Sequence, residues 1–171
     1  YLSKSMYPDD TIRLDHKGFG TFKGSRMLTG GVYIVFLPSS NYFEIIIGDD
    51  QSFSIEVDTT NFLQTLEIQG SDENQIFLDF QKYMFSLRRQ ADSLTQLIRK
   101  ESDLSSRNLL SEKLRKINEA RINEVHSITE KHPDLFVSSF LKATLDISVP
   151  DPPKDEKGNV LDSTWQYYYY R

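Results

Sequence analysis

The chain has 171 residues, 38% hydrophobic and 26% charged, with a formal net charge of -5, which suits one packed unit and excludes disorder throughout. The acidic balance, with no basic patch standing out, argues against a surface that tracks nucleic-acid phosphates. There is no cysteine, which excludes thiol nucleophiles, disulfides, zinc–thiolate sites and iron–sulfur clusters within it, and no apolar run approaches the ~20 residues that span a bilayer.

Up to about residue 70 the spacing predicts strands, short segments rich in β-branched and aromatic residues set between turn residues. They are Tyr1–Met6, Thr11–Leu14, Phe19–Lys23, Val32–Leu37, Tyr42–Ile47, Ser52–Val57 and Leu66–Gln69. Asp15-His16-Lys17-Gly18, Thr29-Gly30-Gly31 and Pro38-Ser39-Ser40-Asn41 supply the turns, and Gly48-Asp49-Asp50 reads as a tight hairpin. Phe53, Ile55 and Val57 alternate with Ser52, Ser54 and Glu56, one face buried and one wet, whereas Phe43–Ile47 is nearly continuous and suits burial on both faces. Strands this short and close imply a sandwich or an incomplete barrel.

After Gly70 the period becomes helical. Ser71 is placed to cap a helix, and Asn74 stands where a capping-box Glu or Gln would. A stripe runs from Ile76 and Phe77 through Phe80, Tyr83, Met84, Leu87, Ala91 and Leu94 to Ile98. Lys100–Ser106 interrupts it, and a second stripe follows through Leu110, Leu114, Ile117, Arg121, Val125 and Ile128. The short connection predicts antiparallel neighbours joined along one narrow seam, with charged outer faces in water. Pro133 opens a third, shorter helix to about Leu145. Val149–Asn159 reads as a stiff, polar, extended connector, and Trp165-Gln166-Tyr167-Tyr168-Tyr169-Tyr170 is the most aromatic stretch. The expected class is therefore α+β: an antiparallel β-sandwich-like domain (1–70), a helical region of a long antiparallel hairpin and a short third helix (71–147), then a Pro-rich connector and aromatic segment (148–171). The chain opens inside a predicted strand and stops in a tyrosine run, so it reads as a piece of a longer polypeptide.

No residue set assembles into a motif for chemistry. His132-Pro133-Asp134 is the tripeptide with which J-domain co-chaperones stimulate an ATPase, but the preceding helix there is basic and here carries Glu119, Glu124 and Glu130; helix-start chemistry accounts for Pro and Asp. Asp49-Asp50 and the acidic tail Asp151, Asp155 and Asp162 lack the loop pattern of a calcium site. His16, His126 and His132 have no zincin spacing, and G-x-S-x-G, P-loop and G-x-G-x-x-G are missing. The reading is no catalytic residue, no metal and no cofactor. Trp165, Tyr167, Tyr168, Tyr169 and Tyr170 are the candidate partner contacts, because exposed aromatics anchor interfaces or stack on sugars and bases; packing on the helices, or on an element beyond Arg171, is the reading preferred over both.

The motifs Asp15-x-x-Gly18-Phe19-x-x-Phe22-x-Gly24, Leu28, Gly31-x-Tyr33, Asp50-Gln51-x-Phe53-x-Ile55-x-x-Asp58 and Gly70-Ser71-x-x-Asn74-x-x-Phe77 follow in order. Downstream come His132-Pro133-Asp134, Pro150–Pro153, Gly158, Asp162 and Tyr167–Tyr170. Together they resemble the N-terminal domains of unknown function that precede a thioredoxin-like domain in envelope thiol-disulfide oxidoreductases of anaerobic Gram-negative bacteria. The resemblance covers nearly the whole chain. It implies an exported, periplasmic or outer-membrane-anchored parent, held by a lipid anchor outside this chain, with the redox Cys-x-x-Cys also outside it. The implied role is a non-catalytic accessory or recognition domain, its partners the downstream thioredoxin-like domain, client proteins or a second copy. A glycan- or protein-binding module of a cell-surface lipoprotein is the alternative, and a hydrolase with a Ser/His/Asp site assembled by the fold is a third.

Overall fold

The computed structural model describes residues 8–37, 41–58, 60–145 and 149–169. Its elements run β1 (Gly31–Phe36), β2 (Tyr42–Ile47), β3 (Ser54–Glu56), α1 (Phe62–Thr65), β4 (Glu67–Gln69), α2 (Asp72–Lys100), α3 (Leu104–Lys131), α4 (Phe136–Ala143) and a 3-10 turn, Trp165–Tyr169. The class is α+β, but the expected sandwich is wrong. Among the described residues the strands form two separate antiparallel pairs, β1–β2 and β3–β4. Thr11–Leu14 and Phe19–Lys23 are not strands: they leave the Asp15–Gly18 turn without forming a ladder. Tyr1–Met6 lies outside the described residues.

The reason the sheet stops at two strands lies at Ile46. This residue faces Val32 of β1, and its own N–H donates to Asn74 Oδ1 while its C=O accepts from Asn74 Nδ2, both at 2.7 Å. A side-chain amide from the first turn of α2 thus occupies the edge where a third strand's backbone would bond. Next along the chain, Gly48 passes so close to α2 that an added Cβ would run into the Glu73 carboxylate. Gly48-Asp49-Asp50 is therefore no hairpin. It carries the chain from one sheet to the other, because the β2 edge is already taken. Gln51 repeats the device, pairing both the N–H (2.8 Å) and the C=O (2.9 Å) of Leu28.

With both edges short, the pairs depend on helices for cover. Strand β2 is buried on both faces, as its near-continuous apolar run predicts. Ile46 packs with Phe77, Val125, Ile128, Val137 and Leu141 on one side. Ile45 and Ile47 pack with Leu66, Ile68 and Leu78 on the other. The alternation expected at Phe53, Ile55 and Val57 is present, each half-buried between exposed neighbours. Helix α2 touches β2, β4, α1, α3 and α4, and Phe77 and Leu78 near its start enter the two clusters, so one helix joins sheets and helices in the core.

Helices α2 and α3 form the expected hairpin of neighbours. With 29 and 28 residues each is about 42 Å long. Ser71 Oγ accepts from the Asn74 N–H at 3.3 Å, but Asn74 does not complete a capping box, since its side chain is committed to Ile46. Asp103 caps α3 by accepting from Ser106 N–H at 2.7 Å, a bond that holds its carboxyl below the ordinary carboxylate range. Helix α4 starts at Phe136, not at Asp134; Pro133 and Asp134 form the turn before it. Its start has no local side-chain cap, and Glu73 Oε1 of α2 accepts from Val137 N–H at 3.1 Å instead.

Removing the Asn74 amide leaves a buried N–H and a buried C=O of Ile46 unpaired. Asn74→Ala is expected to lower unfolding free energy by about 2–4 kcal/mol, and Gln51→Ala, at a half-exposed site, by less. Urea titration of both variants checks the order; equal effects, or a loss under about 0.5 kcal/mol for Asn74→Ala, would contradict it.

Candidate functional site

Among the described residues, the distal half of the α2–α3 hairpin has no third layer. The buried side chains of α2 end at Leu87, and those of α3 are Val125 and Ile128, near the base. Beyond them a two-helix seam of half-buried Leu94, Ile98, Leu110, Leu114 and Ile117 projects outward, while Leu97, Leu104 and Leu109 are exposed. Residues 86–121 carry nine Lys and Arg against five Asp and Glu, in a chain whose net charge is -5. The projecting part is therefore positive, and the rest of the chain negative.

Two open clefts lie along this hairpin. The distal one, about 680 Å³, has Arg89, Lys113 and Lys116 around a floor of Leu94 and Ile117, with Ser86, Gln90 and Ser93 beside them. Its three cations have no ion pair among the described residues; Arg115, on another face, takes both Glu112 and Glu119. Here a basic patch exists that no run of sequence displays, because its members are 24 to 27 residues apart and meet only across the seam. The basal cleft, about 500 Å³, is lined by Asp50, Asp72, Glu73 and Asp134 with Lys131 and His132, over Ile76 and Leu135.

The histidines do not converge on a nucleophile. His16 is exposed at a turn and His126 on α3, while His132 is half-buried at the end of α3. The Ser138 hydroxyl donates to the backbone carbonyl of His132 at 2.6 Å, not to its ring, and among the described residues no hydroxyl side chain lines the basal cleft. Asp49 and Asp50 are exposed. Among the described residues no three His, Asp or Glu side chains are grouped to hold a metal ion.

The C-terminal segment, expected to be an extended connector, is folded. Asp155 Oδ1 accepts from Lys157 N–H (2.9 Å) and Asn159 N–H (2.8 Å), and Gly158, at φ 84°, supplies the left-handed residue the turn needs. Lys154 then bridges Val160, and Leu161 N–H reaches Pro153 O at 2.8 Å. The same turn occurs at Asp15-His16-Lys17-Gly18-Phe19, where Asp15 Oδ1 accepts from Lys17 and Phe19 N–H and Gly18 also has φ 84°. The two turns share the sequence D-x-K-G, the second copy set among prolines and charges that by composition favour an extended chain.

Of the aromatic candidates, Trp165 is half-buried and donates from Nε1 to Pro150 O at 2.9 Å, closing the segment on itself. Tyr167 and Tyr168 are exposed. Tyr169 ends the 3-10 turn, and Tyr170 lies outside the described residues. Asp162 accepts from the Thr164 hydroxyl (2.7 Å) and the Thr164 N–H (2.8 Å), which hold its carboxyl below the ordinary range.

The chain matches no protein-family model, and neither a curated protein nor a solved structure matches it significantly. The residues that sequence reading missed are Arg89, Lys113, Lys116 and Glu73. The first three needed the helix pairing; Glu73 read as an ordinary first-turn acid, with nothing to show that it caps another helix.

The lowered carboxyls give the C-terminal fold a pH dependence. The Asn159 side-chain amide, with backbone N–H groups, keeps Asp155 below its ordinary range, as Thr164 does for Asp162. Groups lowered by folding stabilise the folded form fully above the unfolded carboxylate range, and that contribution is lost as pH falls through the lowered values. Trp165, the sole tryptophan, reports on it. Its emission is expected to stay constant from neutral pH to the ordinary carboxylate range and to shift red below it. Asp155→Ala is expected to show the red-shifted spectrum already at neutral pH; an unchanged spectrum would contradict this account.

Proposed function

We propose that this chain is a non-catalytic accessory and recognition module of an envelope thiol-disulfide oxidoreductase, with the redox site outside it. The observation that supports this reading best is the projecting distal half of the α2–α3 hairpin. It is an arm supported at one end, basic overall, with Leu104 and its neighbours open to water. Exposed apolar side chains among cations on a rigid support suit contact with another protein. A client held on such an arm would be presented to a tethered redox domain at raised effective concentration, without any bond being made or broken here. The order of motifs that resembles the N-terminal domains of thioredoxin-like envelope enzymes gives the parent class, an extracytoplasmic location and the lipid anchor. A second reading, a glycan- or protein-binding module of a surface lipoprotein, rests on Tyr167 and Tyr168, adjacent exposed rings in one 3-10 turn.

The test is enzymatic. The reading frame after Arg171 is expected to encode a Cys-x-x-Cys within a βαβ pattern, and the joined polypeptide to reduce protein disulfides faster than its redox domain alone. Leu104→Asp stands at the first position of α3, where an acid suits the helix start. It is expected to slow reduction of protein clients several-fold and leave reduction of a small disulfide unchanged. Equal rates on protein clients, or no redox motif in that frame, defeat the proposal. Glycan-array binding lost on joint Tyr167→Ala and Tyr168→Ala substitution would favour the second reading.

A further inference from the structure

The two clefts of the helical hairpin stand in a fixed geometric relation. On α2 the basal cleft uses Asp72, Gln75 and Ile76, and the distal cleft uses Gln90, Ser93 and Leu94. Each pair is 18 residues apart. On α3, Lys113 and Lys131 are separated by the same number. Eighteen residues make five turns of 3.6, so both clefts open on one flank of the hairpin, about 27 Å apart. Their net charges are opposite: Arg89, Lys113 and Lys116 stand at one, and at the other Asp50, Asp72, Glu73 and Asp134 outnumber Lys131. None of these side chains has an ion pair among the described residues.

We propose that two copies of this chain pair antiparallel along this flank about a two-fold axis, the basic cleft of each seated against the acidic cleft of the other. An antiparallel arrangement brings residue i of one α2 opposite residue j of its mate and j opposite i, as an isologous interface requires. The apolar floors, Leu94 with Ile117 and Ile76 with Leu135, meet in the same register. Midway between the clefts, seven residues after Ile76 and seven before Gln90, lies half-buried Tyr83, which falls beside the axis and faces its own mate. The flank is large enough. Two helices about 10 Å wide and 42 Å long present roughly 800 Å² per copy, the size of a standard stable interface. Parallel pairing would instead set cation on cation and acid on acid, at a cost in repulsion. The inference does not depend on the redox reading above.

The test is sedimentation velocity on the purified chain. A dimer is expected at low ionic strength, its dissociation constant rising with added salt. A distal reversal, Arg89→Glu with Lys113→Glu, and a basal reversal, Asp72→Lys with Asp134→Lys, are each expected to raise that constant at least about tenfold. An equimolar mixture of the two is expected to dimerise again, since both contacts of the mixed pair are then between opposite charges. Circular dichroism shows that each variant is folded. As an independent measurement, Tyr83→Cys, in a chain with no other cysteine, is expected to form a disulfide dimer on mild oxidation, which high salt suppresses. A wild-type chain that stays monomeric at high concentration, a mixture that fails to restore dimers, or an open series of larger oligomers would each overturn the proposal.

Discussion

The amide of Asn74 is the contact on which the remainder of the structure depends. It is 1% exposed, and both of its N–H bonds are used, one on Ile46 O at 2.7 Å and one on Ser71 Oγ at 2.9 Å, while its oxygen takes the Ile46 N–H. An unpaired amide at such depth would be costly, and so would the two strand groups it satisfies. Fully paired, it fixes the first turn of α2 to the middle of β2. Ile46 then enters the cluster of α3 and α4, and Ile45 and Ile47 enter that of the second sheet. Glu73, one residue earlier, ties the same helix start to α4 through Val137 N–H, and Gly48 leaves room for its carboxylate.

That one anchored helix start has consequences at the far end. Because sheets and α4 all gather on the first turns of α2, α3 alone among the described elements covers its last four turns. The distal hairpin is therefore a lever held at its base, stiffened by capping at Asp103 and by Arg115 with Glu112 and Glu119. Such a shape suits the recognition role proposed above. Binding needs surface that is exposed and held still, whereas catalysis needs groups that converge in a place water is kept from.

Much of the local structure was legible in the residues. The strand Tyr42–Ile47 keeps its predicted bounds, and the alternation at Phe53, Ile55 and Val57 and the Ser71 cap follow from spacing alone. The change of period at Gly70 marks the start of the hairpin because 2 and 3.6 are set by the backbone itself. What failed was the step from strands to a sheet. The strands of a sandwich and those of two separate pairs have the same alternation, and only the bond between Asn74 and Ile46, 28 residues apart, distinguishes them. The Val149–Asn159 segment failed for a smaller reason: its proline and charge content outweighed an Asp-x-Lys-Gly turn already seen near the N-terminus.

The candidate site shows the same division. By itself the sequence determined the two long helices, the Asp15–Gly18 turn and the lack of thiol chemistry, since each follows from residue type and short-range spacing. Tertiary structure alone decided that the β2 edge is closed by a side chain, that α4 is capped from α2, and that Arg89 meets Lys113 and Lys116. These are long-range pairings of polar groups. Their members are ordinary surface types one at a time, and they acquire a role only when packing of the apolar stripes sets which faces meet.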